Sequence, residues 1–223
     1  MEQSSTTAYY LIAPKYILGN GKPHMSNNSN LRQAKKRDKK VKITDIAIAK
    51  VPYIEYKGFT SAQNKIIQQL AKEVLIFSSR ENDSNEVAIT CDLDVENPLE
   101  EYGIAFGGEY DVDVCSDTRS YHLLHFGKKA TVILIHNHPS TKTFSLVDLQ
   151  FLLIYTRIKM LVLVSNQGTV HYIQKGKEYD RDAAVKLIRK CAEEYNIESS
   201  VAERYRASLA FLVRCSEVGL FYS

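Results

Sequence analysis

A near-continuous apolar run at residues 130–136, ATVILIH, constrains the fold more than any other stretch of this chain. An apolar run of strand length without alternation is typical of a central β-strand that is covered on both faces. Ahead of it, in TSAQNKIIQQLAKEVLIFSS, apolar residues recur at helical spacing, and Thr60 or Ser61 can cap the start of a helix. The sequence therefore predicts an α/β or α+β sandwich around one buried strand.

The whole chain divides into three parts. We expect a basic, largely flexible N-terminal arm at 1–43, a globular domain at 44–178 and a helical C-terminal extension at 179–223. Patterns of β-favouring residues predict strands in ITDIAIAKV, YIEYKGF, EVAITCDLD and YDVDVC, a further short strand in AYYLIAP, and a hairpin in KMLVLVSNQGTVHYIQK. Helical patterns occur in RSYHLLHFGKK, SLVDLQFLLIYTRI, RDAAVKLIRKCAEEY and SVAERYRASLAFLVRC, and the acid-rich stretch around Pro98 is expected to be a loop.

Positive charge is concentrated in one short stretch. RQAKKRDKKVK at residues 32–42 holds seven basic residues and one acid, although the net charge of the whole chain is only +3. Such a stretch can contact nucleic acid or another polyanion. The alternative is a solvated arm, which the lack of interleaved aromatic residues favours.

Composition points to an intracellular protein. Hydrophobic residues make up 44% and charged residues 25% of the chain, and no apolar run approaches the roughly 20 residues that span a bilayer. The four scattered cysteines are typical of reduced, mostly buried thiols rather than of a disulfide framework. We therefore expect a cytoplasmic protein that does not bind membranes.

Two histidines follow the apolar run. In a strand, residues i and i+2 point to the same face, so His136 and His138 should project together and form half of a zinc site. Asp148 follows in the first turn of the predicted helix, close to Ser145. Two histidines and one aspartate leave a fourth tetrahedral position open, as in catalytic zinc sites. A capping box of Ser145 and Asp148 would explain the same pattern without any metal.

Hydrolysis at such a site requires a general base from elsewhere in the chain. Glu86 is our choice because it opens the predicted strand EVAITCDLD, and a strand end can face a site at the end of a neighbouring strand. Glu73 is the rival, although its place on the helix turns it towards water. The ligand set also suits iron or manganese. His122 and His125 lie on a predicted helix and are expected to be surface or packing residues.

The combined pattern H-x-H-P, S-x-x-D and an upstream glutamate resembles the JAMM (MPN-plus, JAB-domain) metalloprotease family, and HNHPS is most similar to its RadC-like bacterial and phage branch. The resemblance covers about residues 60–175. It implies a JAMM/MPN-like, cytidine-deaminase-like α/β core with a mixed sheet flanked by helices. It also implies that His136, His138 and Asp148 bind Zn²⁺.

In this family the glutamate, matched by Glu86, acts as general base and then acid, and the serine, matched by Ser145, stabilises the oxyanion. The resemblance thus implies a zinc metallopeptidase that cleaves a peptide or isopeptide amide, with conjugates of ubiquitin-like proteins among the candidate substrates. Six residues separate His138 from Ser145, one fewer than the commonest family spacing. Two other hypotheses remain open: a nucleic-acid-associated accessory protein that uses residues 32–42, and a catalytically silent interaction module. The sequence does not decide the oligomeric state.

Overall fold

The apolar run forms β3 (Val132–His138), and all seven of its residues are buried. β3 lies between β1 (Val87–Asp92) and β4 (Ile158–Ser165), so the predicted central strand is confirmed. The computed structural model describes residues 40–127, 130–140 and 142–223. The predicted arm up to residue 39, which includes AYYLIAP and most of the basic stretch, lies outside the described residues.

Within the described residues, six strands form one sheet in the order β2-β1-β3-β4-β5-β6. The remaining strands are β2 (Tyr102–Phe106), β5 (Val170–Lys175) and β6 (Leu220–Tyr222). β3 and β4 pair in parallel, and the other neighbours in this sheet pair antiparallel. The predicted hairpin is confirmed, because β4 and β5 join through a turn in which Gly168 adopts a φ of 85°.

Helices cover both faces of the sheet. Their bounds are α1 (Asp45–Lys50), α2 (Ser61–Glu81), α3 (Thr118–Phe126), α4 (Leu146–Ile154), α5 (Arg181–Glu194) and α6 (Val201–Arg214). α2 packs on one face, in a core that includes Ile133 and Ile135, and α1 lies against α2. α3 to α6 pack on the other face, in a core that includes Leu134. A mixed α/β fold with helices flanking a mixed sheet is therefore confirmed.

Two predicted strands near the start of the domain are wrong. ITDIAIAKV contains helix α1, because the Thr44 hydroxyl accepts a hydrogen bond from the Ala47 backbone N–H at 3.2 Å and caps the helix, with Asp45 in its first turn. YIEYKGF is an irregular segment that ends in a turn closed by a hydrogen bond from the Phe59 N–H to the Tyr56 carbonyl, with Gly58 at a φ of 81°.

The predicted strand in YDVDVC is also wrong, and the strand lies earlier in the chain. Asp113 accepts a hydrogen bond from the Cys115 N–H at 3.0 Å, which favours a 3₁₀ turn at Val114–Ser116. The acid-rich stretch predicted to be a loop leads directly into edge strand β2. Gly103 of this strand lies so close to α3 that a Cβ there would be 2.5 Å from the Ser120 backbone nitrogen.

Helices predicted from periodicity are confirmed with small changes at their ends. α2 begins after a capping box formed by Thr60 and Gln63. α3 ends at Phe126, with Gly127 as its C-cap, and α4 is shorter than predicted because the chain enters β4 at Ile158. In the part of the chain that the structure describes, no helix combines the length and apolarity required to cross a bilayer.

Candidate metal centre

The end of β3 carries two imidazoles on one face of the sheet. His136 and His138 are only 3% and 8% exposed, and their Nε2 atoms lie 3.2 Å apart. His136 pairs with Ala88 of β1, which belongs to the core beneath α3 and α4. The alternation of a strand therefore points both rings towards the start of α4, as the sequence predicted.

The first turn of α4 supplies a carboxylate to the same place. Ser145 is the N-cap: its hydroxyl accepts a hydrogen bond from the Asp148 N–H at 3.2 Å, and its own N–H donates to Asp148 Oδ2 at 2.7 Å. The Ser145 hydroxyl also donates to Oδ2, at 2.7 Å. The capping box that offered a metal-free explanation is thus present, and the same bonds fix the position of the carboxylate beside the histidines.

The three side chains form a compact set of metal ligands. His136 Nε2 lies 3.6 Å from Asp148 Oδ1, and His138 Nε2 lies 3.4 Å from Asp148 Oδ2. A tetrahedral zinc site with bonds of about 2.0–2.1 Å has ligand–ligand edges of about 3.3–3.4 Å. His136, His138 and Asp148 therefore fit one metal ion, and together they are the group in the described residues whose ligand atoms lie close enough to hold one. This donor set also suits iron and manganese, so its geometry does not single out zinc.

Glu86 reaches the centre from the neighbouring strand. Because β1 runs antiparallel to β3, the residue before β1 lies next to the end of β3, and Glu86 Oε1 is 4.0 Å from His138 Nε2. Its backbone is held by hydrogen bonds with Gly107 and Gly108 at 2.8 and 2.9 Å. Glu73 lies instead on α2, on the other face of the sheet, where its carboxylate accepts a hydrogen bond from Gln69.

Burial and mutual contacts shift the pKa values of the two histidines and the two carboxylates of the centre. Burial lowers the pKa of His136 to about 4, so its imidazole is neutral. Burial also disfavours the charged form of His138, but the hydrogen bond and charge of Asp148 outweigh it and raise the pKa of His138. Burial opposes ionisation of Asp148 too, yet the facing histidines and Ser145 hold its pKa below the usual range.

The pKa of Glu86 is raised, whereas that of Asp148 is lowered. Burial raises its pKa to about 8, and the nearby charges of Asp148 and Asp111 act in the same direction, while His138 counteracts them. A carboxyl group whose pKa lies near neutrality is suited to accept a proton and then return it. A divalent cation beside it would lower this pKa, because it favours the ionised carboxylate.

Asn137, between the two histidines, has a structural role that the sequence did not predict. It is fully buried on the opposite face, and its Oδ1 accepts a hydrogen bond from the Val87 N–H at 2.7 Å. Its Nδ2 lies 3.1 Å from both Ser78 Oγ and the Asn85 carbonyl, and 2.7 Å from Asn166 Oδ1. Asn137 therefore joins β3 to the residue after Glu86. A polar residue inside a buried strand was the available signal, because buried amides must be hydrogen-bonded.

Other predicted features lie apart from the centre. His122 and His125 are on α3, where both pack against Phe126. The four cysteines are free thiols. Of the basic stretch, Lys40 and Lys42 both form salt bridges with Asp83.

Comparisons with family models, with curated proteins and with solved structures find no match for this chain.

Proposed function

We propose that this chain is a zinc-dependent metallopeptidase that hydrolyses a peptide or isopeptide amide bond. The proposal rests on one observation. A second carboxylate, that of Glu86, lies 4.0 Å from one imidazole of a set formed by two imidazoles and one carboxylate. Three ligands and a free acid–base group are what metal-assisted hydrolysis requires. The mixed α/β fold is consistent with a JAMM/MPN-like core, which we include in the proposal.

The roles of the residues follow from their positions. A bound zinc ion would supply a Lewis acid and lower the pKa of a water molecule at the open position. Glu86 takes a proton from the attacking water and passes it to the leaving amine. Its carboxylate suits this role because it lies next to the ligand set but is not one of the ligands. His136, His138 and Asp148 hold the metal.

Ser145 has to change its hydrogen bonding if it stabilises the oxyanion. Its hydroxyl proton is directed at Asp148 Oδ2 at 2.7 Å, whereas an oxyanion needs a donor directed at the reacting carbonyl. Rotation of the Ser145 hydroxyl would provide this donor. The Ser145 N–H would keep Asp148 in place during that rotation, because it donates independently to the same oxygen.

Metal content and affinity test the ligand set. We expect about one zinc per chain in protein purified without chelators, and its loss in His136→Ala and in Asp148→Asn. Asparagine keeps an oxygen for the capping box, so Asp148→Asn separates loss of the ligand charge from loss of the cap. His122→Ala is the matched control, since it removes an exposed histidine of α3 that lies apart from the ligand set. A wild-type protein that binds no zinc on back-titration would refute the proposal.

Activity tests the role of Glu86. Glu86→Gln should retain zinc and lose at least about 100-fold in hydrolysis rate, which is the contribution typical of a general base. A peptide library and a lysine isopeptide library would serve as substrates, with the products identified by mass spectrometry. The library that yields cleavage products shows whether the enzyme prefers peptide or isopeptide bonds. Zinc-loaded wild type that cleaves neither library would favour the silent interaction module. Salt-sensitive binding of DNA or RNA, lost on neutralising residues 32–42, would favour the nucleic-acid hypothesis.

A further inference from the structure

The C-terminal extension contacts the segment that carries the metal ligands. Residues 142–145, which we call the ligand loop, are the part of the connection between β3 and α4 that leads into α4. Tyr205 of α6 has its ring centroid 5.6 Å from Lys142 Nζ. Tyr222 of β6 has its hydroxyl 3.0 Å from the Thr143 hydroxyl. The helical C-terminal extension is therefore in contact with the segment between β3 and α4.

His136 is oriented by packing against this loop. Its ring centroid lies 6.2 Å from that of Phe144, which is fully buried, and Phe144 lies 6.3 Å from the ring of Tyr222. Tyr222 in turn stacks on His171, with centroids 6.1 Å apart and planes inclined by 19°. No described residue forms a hydrogen bond with the buried His136 Nδ1. Metal-bound histidines are usually oriented by a hydrogen bond at this second nitrogen, so the ring contact with Phe144 takes on part of that role here.

The other two ligands depend on the same loop. Asp148 is held by the backbone and hydroxyl of Ser145. His138 in turn faces this carboxylate, with its Nε2 3.4 Å from Asp148 Oδ2. The loop therefore contacts His136 and Asp148 directly, and His138 through Asp148. Tyr205 and Tyr222 contact the loop from outside, in addition to the hydrophobic core that buries Phe144.

We propose that Tyr222 is a positioning residue of the metal centre: it holds the ligand loop in the conformation that gives His136, His138 and Asp148 their spacing. The inference rests on the metal centre proposed above. It makes α6 and β6 part of the machinery that sets metal affinity, rather than a separate module.

The structure allows Tyr222 to be changed without removing β6. The backbone of β6 is held by pairing with β5, and reciprocal hydrogen bonds between Tyr172 and Ser223 at 2.9 and 3.1 Å continue this ladder. Leu220 is fully buried and anchors the strand. Tyr222→Phe thus deletes the bond to Thr143 and keeps the ring, whereas Tyr222→Leu also deletes the ring contacts with Phe144.

The test measures metal binding rather than turnover. Zinc affinity of the full chain is determined by competition with a chromophoric chelator, and Co²⁺ absorption reports the coordination geometry. We expect Tyr222→Leu to weaken zinc binding about tenfold or more, as for outer-shell partners of ligands, with a changed Co²⁺ spectrum. Tyr222→Phe and Thr143→Val should each have a smaller effect, and their double variant should be no worse than the stronger single one. Phe221→Leu alters the half-exposed neighbour in β6 and is the control.

Stability separates positioning from a general structural role. Zinc-induced stabilisation should fall by about 1.4 kcal/mol for a tenfold weaker affinity, while metal-free Tyr222→Phe should lose no more stability in urea than the loss of one hydrogen bond explains. Wild-type zinc affinity and an unchanged Co²⁺ spectrum in both Tyr222 variants would overturn this inference and leave the metal centre intact. Absence of zinc binding in the wild type would instead overturn both proposals.

Discussion

Replacing Asn137 with leucine should destabilise the fold far more than an average substitution. Leucine has a similar size, but it removes the acceptor for the Val87 N–H and the donor for Asn166 Oδ1, which lie at 2.7 Å in the wild type. Ser78 and Asn85 keep their own hydrogen bond at 2.6 Å, so they lose less. Two buried groups without partners cost about 1–3 kcal/mol each, or about 2–6 kcal/mol together. Domains of this kind are stable by only about 5–15 kcal/mol.

Urea unfolding of metal-free protein, followed by circular dichroism, measures this loss. We expect a lower midpoint with an unchanged slope, because the surface exposed on unfolding stays the same. Asn97→Leu is the matched control: Asn97 is exposed, and substitutions at such positions usually change the free energy of unfolding by less than about 0.5 kcal/mol. A loss below about 1 kcal/mol in Asn137→Leu would show that Asn137 does not hold β1 to β3.

Three further predictions concern metal affinity, pH and packing. Zinc affinity should fall as the pH decreases, because the Asp148 carboxylate raises the pKa of His138 and protons then compete with the metal for its imidazole. Zinc titrations at pH 8.0, 7.0 and 6.0 would measure this fall, and an affinity independent of pH would contradict it. Burial lowers the pKa of Lys175 to about 7 from 10.5, so the unfolded chain binds more protons between these values. Stability should therefore rise with pH in that window, by on the order of 1 kcal/mol per pH unit, and Lys175→Met should flatten the rise while exposed Lys186→Met should not. Gly103→Ala should destabilise by about 1–3 kcal/mol in urea unfolding, because its Cβ would meet backbone at 2.5 Å, whereas Gly108→Ala, with its nearest atom at 3.3 Å, should have the smaller effect.

The sequence predicted those parts of the fold that local patterns determine. β3 is buried on both faces, so its residues are apolar throughout, and the two histidines at its end share a face by simple alternation. The cap at Ser145 and the helix that follows it are equally local. Glu86 could be chosen because a strand begins immediately after it.

Features that depend on distant contacts were not predictable in the same way. β2 has a mixed burial pattern. The reason for a glycine at position 103 is the close approach of α3, which the sequence alone does not reveal. The hydrogen bonds of Asn137 reach Ser78 and Asn166, which are far away in sequence. β6 has three residues, too few for a periodic signal, and its pairing with β5 forms only in the folded chain.

The positions of the site residues in the sequence favour one order of assembly of the centre. His136, His138 and Asp148 come from one short segment, whereas Glu86 arrives on a different strand, about fifty residues earlier. Closing the longer loop costs about 1.5 kcal/mol more in chain entropy than closing the one between His138 and Asp148. If these residues bind zinc as proposed, a chain in which β3 and the start of α4 have formed could capture a metal ion before β1 docks on β3, at the lower affinity expected without Tyr222. Metal occupancy and hydrolytic competence would then be acquired in two separate steps, and an immature chain could carry metal without cleaving anything.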